Sequence, residues 1–542
     1  MPRPTSEHPI PASAKKPVVT LVVVLLGYLV LPMGMSGTTV AVHRIGTDLD
    51  ASGASLQWVV TGYFLAASSL MLVAGSLGDL FGRRRVYRLG AIVYGSGCAF
   101  SAAAPDILAL DIARTVTGIG AAGVMAGGGA IVATTFSGPA RTRAFAAVGT
   151  TGGVGLALGP TVAGWLVGAL GWRATFGLFG SIGCVLIVGT WALAESRATD
   201  KPRLDRAGTA TFVAGLALTV FAITQGSEAG WTSARVLGPA VAGLLLLTVF
   251  TAVERRAERP VLDLSLLRNR RFAGWLLAAL TTSVGIGGML VYLPVYLQGV
   301  NDLSSDEAGL TMLMMTLPVL VLPSVSGRLV TRGVPPRLVV VTALLLLAAG
   351  NALLTVLHPG IGALQLLVPL LLAGSGMGLA SGLIDGQAMT EVDPARAGMA
   401  SGLVSTVRGT TQSLVLALFG SALITILDAR LGSPDAAGRV AAGDVAPIPG
   451  LPGIDPATEL TDAWRLVLAV VAGVVLLSAL VVLRLLRAAS ADRGDAKART
   501  SPRATHRPAE VSVPVPPADA LPDRQPIAAR SIDACRRPSQ CS

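Results

Sequence analysis

Charge is what this chain has least of. Only 13% of its 542 residues are charged and 5% aromatic, against 52% hydrophobic. Soluble domains carry about 25% charged residues, so a water-soluble globular fold is excluded for most of the length. Cysteine is scarce too: Cys98 and Cys184 lie in apolar stretches, and Cys535 and Cys541 near the C-terminus. No pair has metal-ligand spacing and none outlines an extracellular disulfide framework. The four histidines, His8, His43, His358 and His506, are scattered, so no metal site is expected. GxxxxGK[ST], GxSxG and HExxH are all missing, which argues against direct use of ATP and against a hydrolase. An enzyme is not expected. The shortage of aromatics also leaves the substrate unread.

What the chain does carry is apolar length. A bilayer crossing takes about 20 residues. Runs of that kind occur fourteen times, at 18–42, 55–78, 86–104, 107–135, 144–171, 174–194, 207–226, 236–253, 272–298, 308–330, 337–357, 361–390, 398–427 and 464–486. Three of them, 107–135, 361–390 and 398–427, are long enough to bend or partly leave the membrane. The net charge of +11 and pI near 10.1 would suggest nucleic acid in a soluble protein. Here the basic residues lie between apolar runs, where the positive-inside rule accounts for them, and no nucleic-acid partner is expected. With the N-terminus in the cytoplasm, twenty Lys and Arg fall in cytoplasmic loops and six outside. A miscount by one helix would scramble that alternation, so both termini are expected inside, in the plasma membrane. Lys15 and Lys16 precede an uncleaved first helix. Segment 428–462, rich in Gly, Pro and Asp, reads as an external irregular spacer or partial cap, and the tail 488–542 as disordered.

Some residues break the apolar background. Gly75, Gly78 and Gly82 fall at i, i+3, i+7, a spacing that lets another backbone come close. Asp79 and Arg83, Arg84 and Arg85 make a charged turn there. A turn that only sets topology is the plainer alternative; the spacing favours a latch in a moving transporter. Gly152, Gly155, Gly159 and Ala163 share one face of a run that Pro160 interrupts, either as ordinary small-residue packing or as a functional bend. Arg114 sits inside an apolar run, where a guanidinium costs at least ~2.5–3.5 kcal/mol, so it must face protein or water. Asp111, at i−3, is its expected partner. The two are either a self-neutralising pair or a site where Arg114 tunes a titrating carboxylate or binds substrate. Asp385, between Gly382 and Gly386, reads as a proton or cation site or as an interfacial cap, and Arg408 could face it across the bundle. The GxGxxG string at 118–123 lies within an apolar run, so it reads as helix packing rather than a dinucleotide fingerprint.

Taken in order, these motifs resemble those of the fourteen-helix drug:proton antiporters of the major facilitator superfamily, over about residues 18–487. Residues 57–63 (QWVVTGY) resemble the family's second helix and 75–85 its loop 2–3 signature. Residues 110–122 (LDIARTVTGIGAA), with Arg114 and Gly118, resemble its helix-4 signature. Residues 155–164 (GLALGPTVAG), holding Gly155, Gly159, Pro160 and Gly164 and followed by Trp172-Arg173, resemble its helix-5 antiporter signature. Tyr292 to Gln298, Ala400 to Leu403 and Arg408 also fit.

The resemblance implies an all-α polytopic membrane protein of major facilitator fold. Residues 1–17 would be a cytoplasmic tail, 18–196 a six-helix bundle, 197–271 a linker with two extra membrane helices, 272–487 a second six-helix bundle and 488–542 a cytoplasmic tail. It further implies proton-coupled export of a hydrophobic or amphipathic drug or antibiotic by alternating access. The substrate would sit near the midplane between the bundles. Gly75, Gly78, Asp79, Gly82 and Arg83 would form the latch, Arg114 would act in proton coupling, and the fifth helix would be a seal favouring exchange over uptake. The expected partners are a small-molecule substrate, protons and lipid, with a monomer working without a cofactor on the proton gradient. A metabolite facilitator of the same superfamily is the alternative, and a non-transporting receptor or scaffold a more distant one. Some positions depart from the pattern: Gly34 stands where many relatives carry a first-helix Asp, Thr39 replaces an Asn, and His43 a proline. Thr331 replaces the acid in the second-half echo at 327–333. The proton-carrier candidates narrow to Asp111 and Asp385.

Overall fold

Backbone in lipid must satisfy its own hydrogen bonds, and every one of the apolar runs folds as helix. The computed structural model describes residues 17–196, 206–256, 264–392, 397–448 and 453–500. The helices are α1 (Pro17–Leu49), α2 (Gly53–Phe81), α3 (Arg83–Ala103), α4 (Ile107–Thr135), α5 (Gly138–Gly189), α6 (Arg206–Ala229), α7 (Ala234–Arg256) and α8 (Arg270–Val300). They continue as α9 (Ser305–Thr331), α10 (Pro336–Leu353), α11 (Ala363–Ala380), α12 (Leu383–Thr390), α13 (Ala397–Leu431), α14 (Pro434–Ala441) and α15 (Pro456–Thr500). Among the described residues eleven stretches are long and apolar enough to cross a membrane, and one of them, Arg143–Ala192, takes in two of the apolar runs. Large apolar side chains such as Trp165, Leu244 and Leu364 point outward and are exposed, as lipid-facing surfaces require.

Two of the long apolar runs are unbroken, as α4 and α13, but 361–390 is not. Ser381 is extended and Gly382 has φ of +73°, so the run splits into α11 and α12. A second break lies inside α5 at Gly171, φ +79°, just before Trp172-Arg173. The segment 428–462 is more ordered than its composition suggested. Pro434 at the first turn and the Ser433 hydroxyl accepting from Ala436 N–H nucleate α14, which packs on α13, α2 and α6. The tail also begins later than expected, because no proline interrupts α15 after Pro456 until Pro502. Residues 501–542, and with them most of the expected disorder, lie outside the described residues.

Helices α1 to α5 form one bundle around Tyr63, Tyr87, Tyr94 and Phe179. Helices α8 to α13 and α15 form the second, around Tyr296, Met312, Phe419 and Trp464. The GxGxxG glycines serve packing: a Cβ on Gly123 would lie 2.9 Å from Gly90 Cα, so α3 and α4 touch backbone to backbone. The linking pair α6–α7 lies against the seam between bundles. α6 bonds to α13 at Ile223 O, which accepts from Ser421 Oγ (2.5 Å), while Trp231 Nε1 of the α6–α7 turn donates to Thr425 Oγ1 (3.1 Å). Against α2 it sets Phe221 beside Trp58, ring centroids 6.4 Å apart.

The turns sort to two opposite ends. Arg173 and Trp172 meet Asp48 at one end, where Asn301 also reaches Ile361 O. At the other, Arg83 N–H meets Ser196 O and Asn269 meets Glu391 O. The arginine-rich turns share that second end.

Candidate functional site

The site begins with a missing N–H. Pro160 cannot donate to Leu156 C=O, which in lipid would be left bare. Ser36 Oγ on α1 donates to that carbonyl at 2.6 Å, and Thr316 Oγ1 on α9 donates to the next one, Ala157, also at 2.6 Å. Pro294 frees Leu290 C=O on α8 in the same way, and Thr39 Oγ1 of α1 lies 3.5 Å from it. Hydroxyls on α1 and α9 thus tie the proline bends of α5 and α8 together, two of the three across the bundle boundary.

The glycines of α5 fit this arrangement. A Cβ on Gly155 would strike Leu29 O, and one on Gly159 would strike Ser36 and come within 2.6 Å of Met33 O. Gly164 instead faces the second bundle, where a Cβ would strike Ser305 O and lie 3.0 Å from Gly309 Cα. Gln298 Nε2 donates to Val40 O at 3.0 Å nearby. The bundles are therefore sealed against each other toward the α1–α2 turn.

Below that seal a cavity opens, with about 1340 Å³ of empty space, the open solvent at its mouth included. Residues of α1, α2, α4, α5, α8, α11, α12 and α13 line it. Its walls are mainly apolar and flexible, with Met35, Met71, Met125 and Met377 among them. Two lining side chains are charged, Asp385 and Arg408. The break at Gly382 starts α12 and turns Asp385 inward; Arg408 Nη2 then donates to both of its oxygens, at 3.1 and 3.2 Å. Asp385 also reaches toward the first bundle, with Oδ2 2.8 Å from where a Cβ on Gly149 would be. The expected contact between Asp385 and Arg408 is present, with Asp385 in the first turn of α12.

Asp111 and Arg114 behave otherwise than expected. Arg114 is 2% exposed, and its guanidinium lies over the rings of Tyr63 (4.6 Å) and Phe176 (5.1 Å) while Nε donates to Val59 O at 3.3 Å. No ion pair joins it to Asp111, whose Oδ1 and the Nη2 of Arg114 are both buried without a hydrogen-bond partner. The i−3 spacing puts both Cβ atoms on neighbouring faces, but cation–π stacking draws the long arginine side chain toward α2 and α5. Neither residue lines the cavity. Gly34 is equally remote from it: a Cβ there would lie 2.9 Å from Tyr94 Oη, so this position has no room for a carboxylate and faces α3.

The arginine turn is held differently from the expected glycine approach. A Cβ on Gly75 would have nothing within 4 Å, and Gly78 meets only its neighbour Arg83 at 3.7 Å, because α3 diverges after the turn. Gly82 is the glycine the backbone needs, with φ +115°. Glu195, which sequence reasoning passed over, closes the turn. It accepts from Arg84 N–H at 3.2 Å and pairs with Arg85 at 3.8 Å, and a Cβ on Gly82 would sit 2.5 Å from its Oε1. The side chain of Asp79 lies outside the described residues. Gly82→Ala is expected to cost about 1–3 kcal/mol, from the positive φ and the displaced Glu195. A lowered thermal midpoint of the purified protein would show it, while Gly75→Ala should leave that midpoint unchanged.

A family model described as the Major Facilitator Superfamily matches residues 24–416. The puromycin resistance protein pur8 of Streptomyces alboniger is 33% identical over 407 residues, covering 74% of this chain and 80% of its own length. The multidrug resistance protein Stp of Mycobacterium tuberculosis is 31% identical over 414 residues, with coverages of 76% and 77%. Among solved structures, a peptide transporter POT in complex with sulfate superposes with a TM-score of 0.59 at 14% identity, covering 86% of this chain and 95% of that one. An inward-facing bacterial homolog of the human lysosomal transporter Spinster gives 0.57 at 16% identity, covering 88% and 98%.

Proposed function

The chain belongs to the major facilitator superfamily, as a multi-pass membrane transporter of small molecules and not an enzyme, and on that premise we propose that it exports a hydrophobic or amphipathic drug or antibiotic in exchange for protons. The observation that carries this reading is the cavity between the bundles, walled by apolar side chains and holding one carboxylate, Asp385, paired with Arg408. Relatives at about a third identity are named for resistance to puromycin and to multiple drugs, which supports a drug as cargo.

The chain of events follows from the contacts. Protonation of Asp385 would dissolve its bond to Arg408 and free α12 from α13. That would weaken the approach of Asp385 to Gly149 and bias the bundles toward the opposite opening. Rocking to the other state would require Thr39, Thr316 and Gln298 to release their partners across the boundary. We place the arginine-rich end in the cytoplasm with both termini, in a plasma-membrane protein crossing fourteen times. It works as a monomer, with the proton gradient as energy source and no cofactor.

A susceptibility panel of hydrophobic antibiotics on cells making the protein should reveal a substrate by raised tolerance. Everted vesicles should then accumulate that substrate several-fold when acidified inside, and lose it when a protonophore is added. Accumulation indifferent to the pH gradient would sink the exchange mechanism.

A further inference from the structure

The cavity's polar groups are unequal in kind. Arg408 uses Nη2 alone for both oxygens of Asp385, so Nε and Nη1 make no hydrogen bond within the protein. One turn along α13, Gln412 is 5% exposed and lines the same cavity, and its Nε2 is buried without an acceptor. Gly287 of α8 packs against this amide: a Cβ there would lie 2.8 Å from Nε2, so the missing side chain is what lets α8 come so close without supplying an acceptor. Spacing of i, i+4 stacks the two side chains on one face of the helix. They form a strip of unused N–H groups, one of them on a permanent cation. On the acceptor side the lining offers neutral oxygens, such as those of Ser68, Ser283 and Ser405, but no free negative charge. Asp385, the single carboxylate of the lining, already has both oxygens engaged, and no first-helix acid reaches the cavity, since Gly34 faces Tyr94. The wall around the strip is apolar, with Met35, Phe64, Met71, Phe145 and Ile286.

We propose that the cavity selects amphiphiles whose head is an anionic oxygen acceptor (a carboxylate, phenolate or enolate) over organic cations, with Arg408 and Gln412 as the residues that choose. An oxygen anion would accept from Arg408 Nε or Nη1 and from Gln412 Nε2, satisfying donors that the protein leaves unused. A cation would find the one acid of the lining already engaged by Arg408 and would give up its hydration without an ionic partner in return, which disfavours it by desolvation. The flat apolar body of such a molecule would lie against the methionines and phenylalanines. This proposal rests on the reading of the cavity as the substrate site.

The test uses the full chain in lipid nanodiscs, titrated with two xanthene dyes of similar size and opposite charge, fluorescein and rhodamine 6G, followed by fluorescence anisotropy. Fluorescein is expected to bind about tenfold more tightly than rhodamine 6G. Gln412→Leu should weaken fluorescein about threefold to tenfold and leave rhodamine 6G unaffected. Arg408→Gln should weaken fluorescein by about tenfold or more and raise the affinity for rhodamine 6G, because Asp385 is then unpaired. A merely misfolded variant would lose both dyes, and Gln412→Leu, which leaves the ion pair in place, decides the matter in that event. Equal or tighter binding of rhodamine 6G by the wild type, binding of neither dye, or loss of both dyes together in Gln412→Leu would each overturn the proposal. Flux into energised everted vesicles separates this idea from the function it builds on. Selective fluorescein binding without accumulation would remove the export reading and leave the selectivity. Accumulation of rhodamine 6G alone would remove the selectivity and leave export.

Discussion

Asp385→Asn is expected to abolish gradient-driven transport, by about a hundredfold, while substrate–substrate exchange survives. The two halves of that result have different causes. Asparagine is neutral, as the protonated acid is, so the ion pair to Arg408 is lost for good, α12 is released from α13 and the bundles stay free to rock. What it loses is the proton: no group within the cavity can then alternate between charged and neutral. Exchange of one substrate molecule for another needs only the rocking motion and should go on. Measuring both fluxes in the same vesicles separates coupling from binding. If vesicles carrying the Asp385→Asn variant still concentrated substrate on a pH gradient, the proton would have to travel elsewhere, with Asp111 the next candidate.

Gly159→Val should have the second large effect, on folding and flux together. The added side chain would run into Ser36 and the backbone of Met33 and Gly37, the latter's N within 2.8 Å of the Cβ position. Backbone cannot retreat as a flexible side chain can, so α1 and α5 must separate. Separation also removes Ser36 from Leu156 C=O, leaving that carbonyl unsatisfied at the proline bend. Overpacking of this kind costs about 1–3 kcal/mol, and the lost hydrogen bond about 1 kcal/mol more. Little properly folded protein should reach the membrane, and what does should transport at about a tenth of the wild-type rate or less. Quantifying folded protein by size-exclusion before the flux assay would separate the two. Wild-type yield and flux in Gly159→Val would mean that α1 and α5 are not in contact during the cycle.

Hydropathy made the helices legible because lipid leaves the backbone so few choices. Charge sorting was legible too: apart from Arg114 and Arg408, which lie inside the bundles, the arginines sit toward helix ends and turns, and the arginine-rich turns share one end. Breaks within helices were less so. Gly382 could be singled out as a glycine near an acid, but only the positive φ shows that it splits a long run and turns Asp385 inward. Arg114 and Asp111 illustrate the opposite limit. Helical spacing brings their Cβ atoms near one another, yet two aromatic rings from other helices compete for the guanidinium, and no local pattern encodes them. Glu195 and Gln412 went unnoticed for the same reason. Each acquires meaning from a partner, or from the lack of one, more than a hundred residues away. The glycines divided in the same manner: 155, 159 and 164 meet distant backbone, whereas 75 meets open space.

The helix pair between the bundles makes the moving parts unequal. The linker holds α13 with two hydrogen bonds, one from α6 and one from the turn after it, but meets α2 through apolar and aromatic contacts, which slide more readily than a hydrogen bond breaks. When the halves exchange positions, α6 and α7 should therefore ride with the second one, as a keel fixed to one hull. A lipid-dissolved molecule approaching along the α2–α13 flank would find that route shuttered throughout the stroke, and any sideways entry from the bilayer would have to come from the other flank.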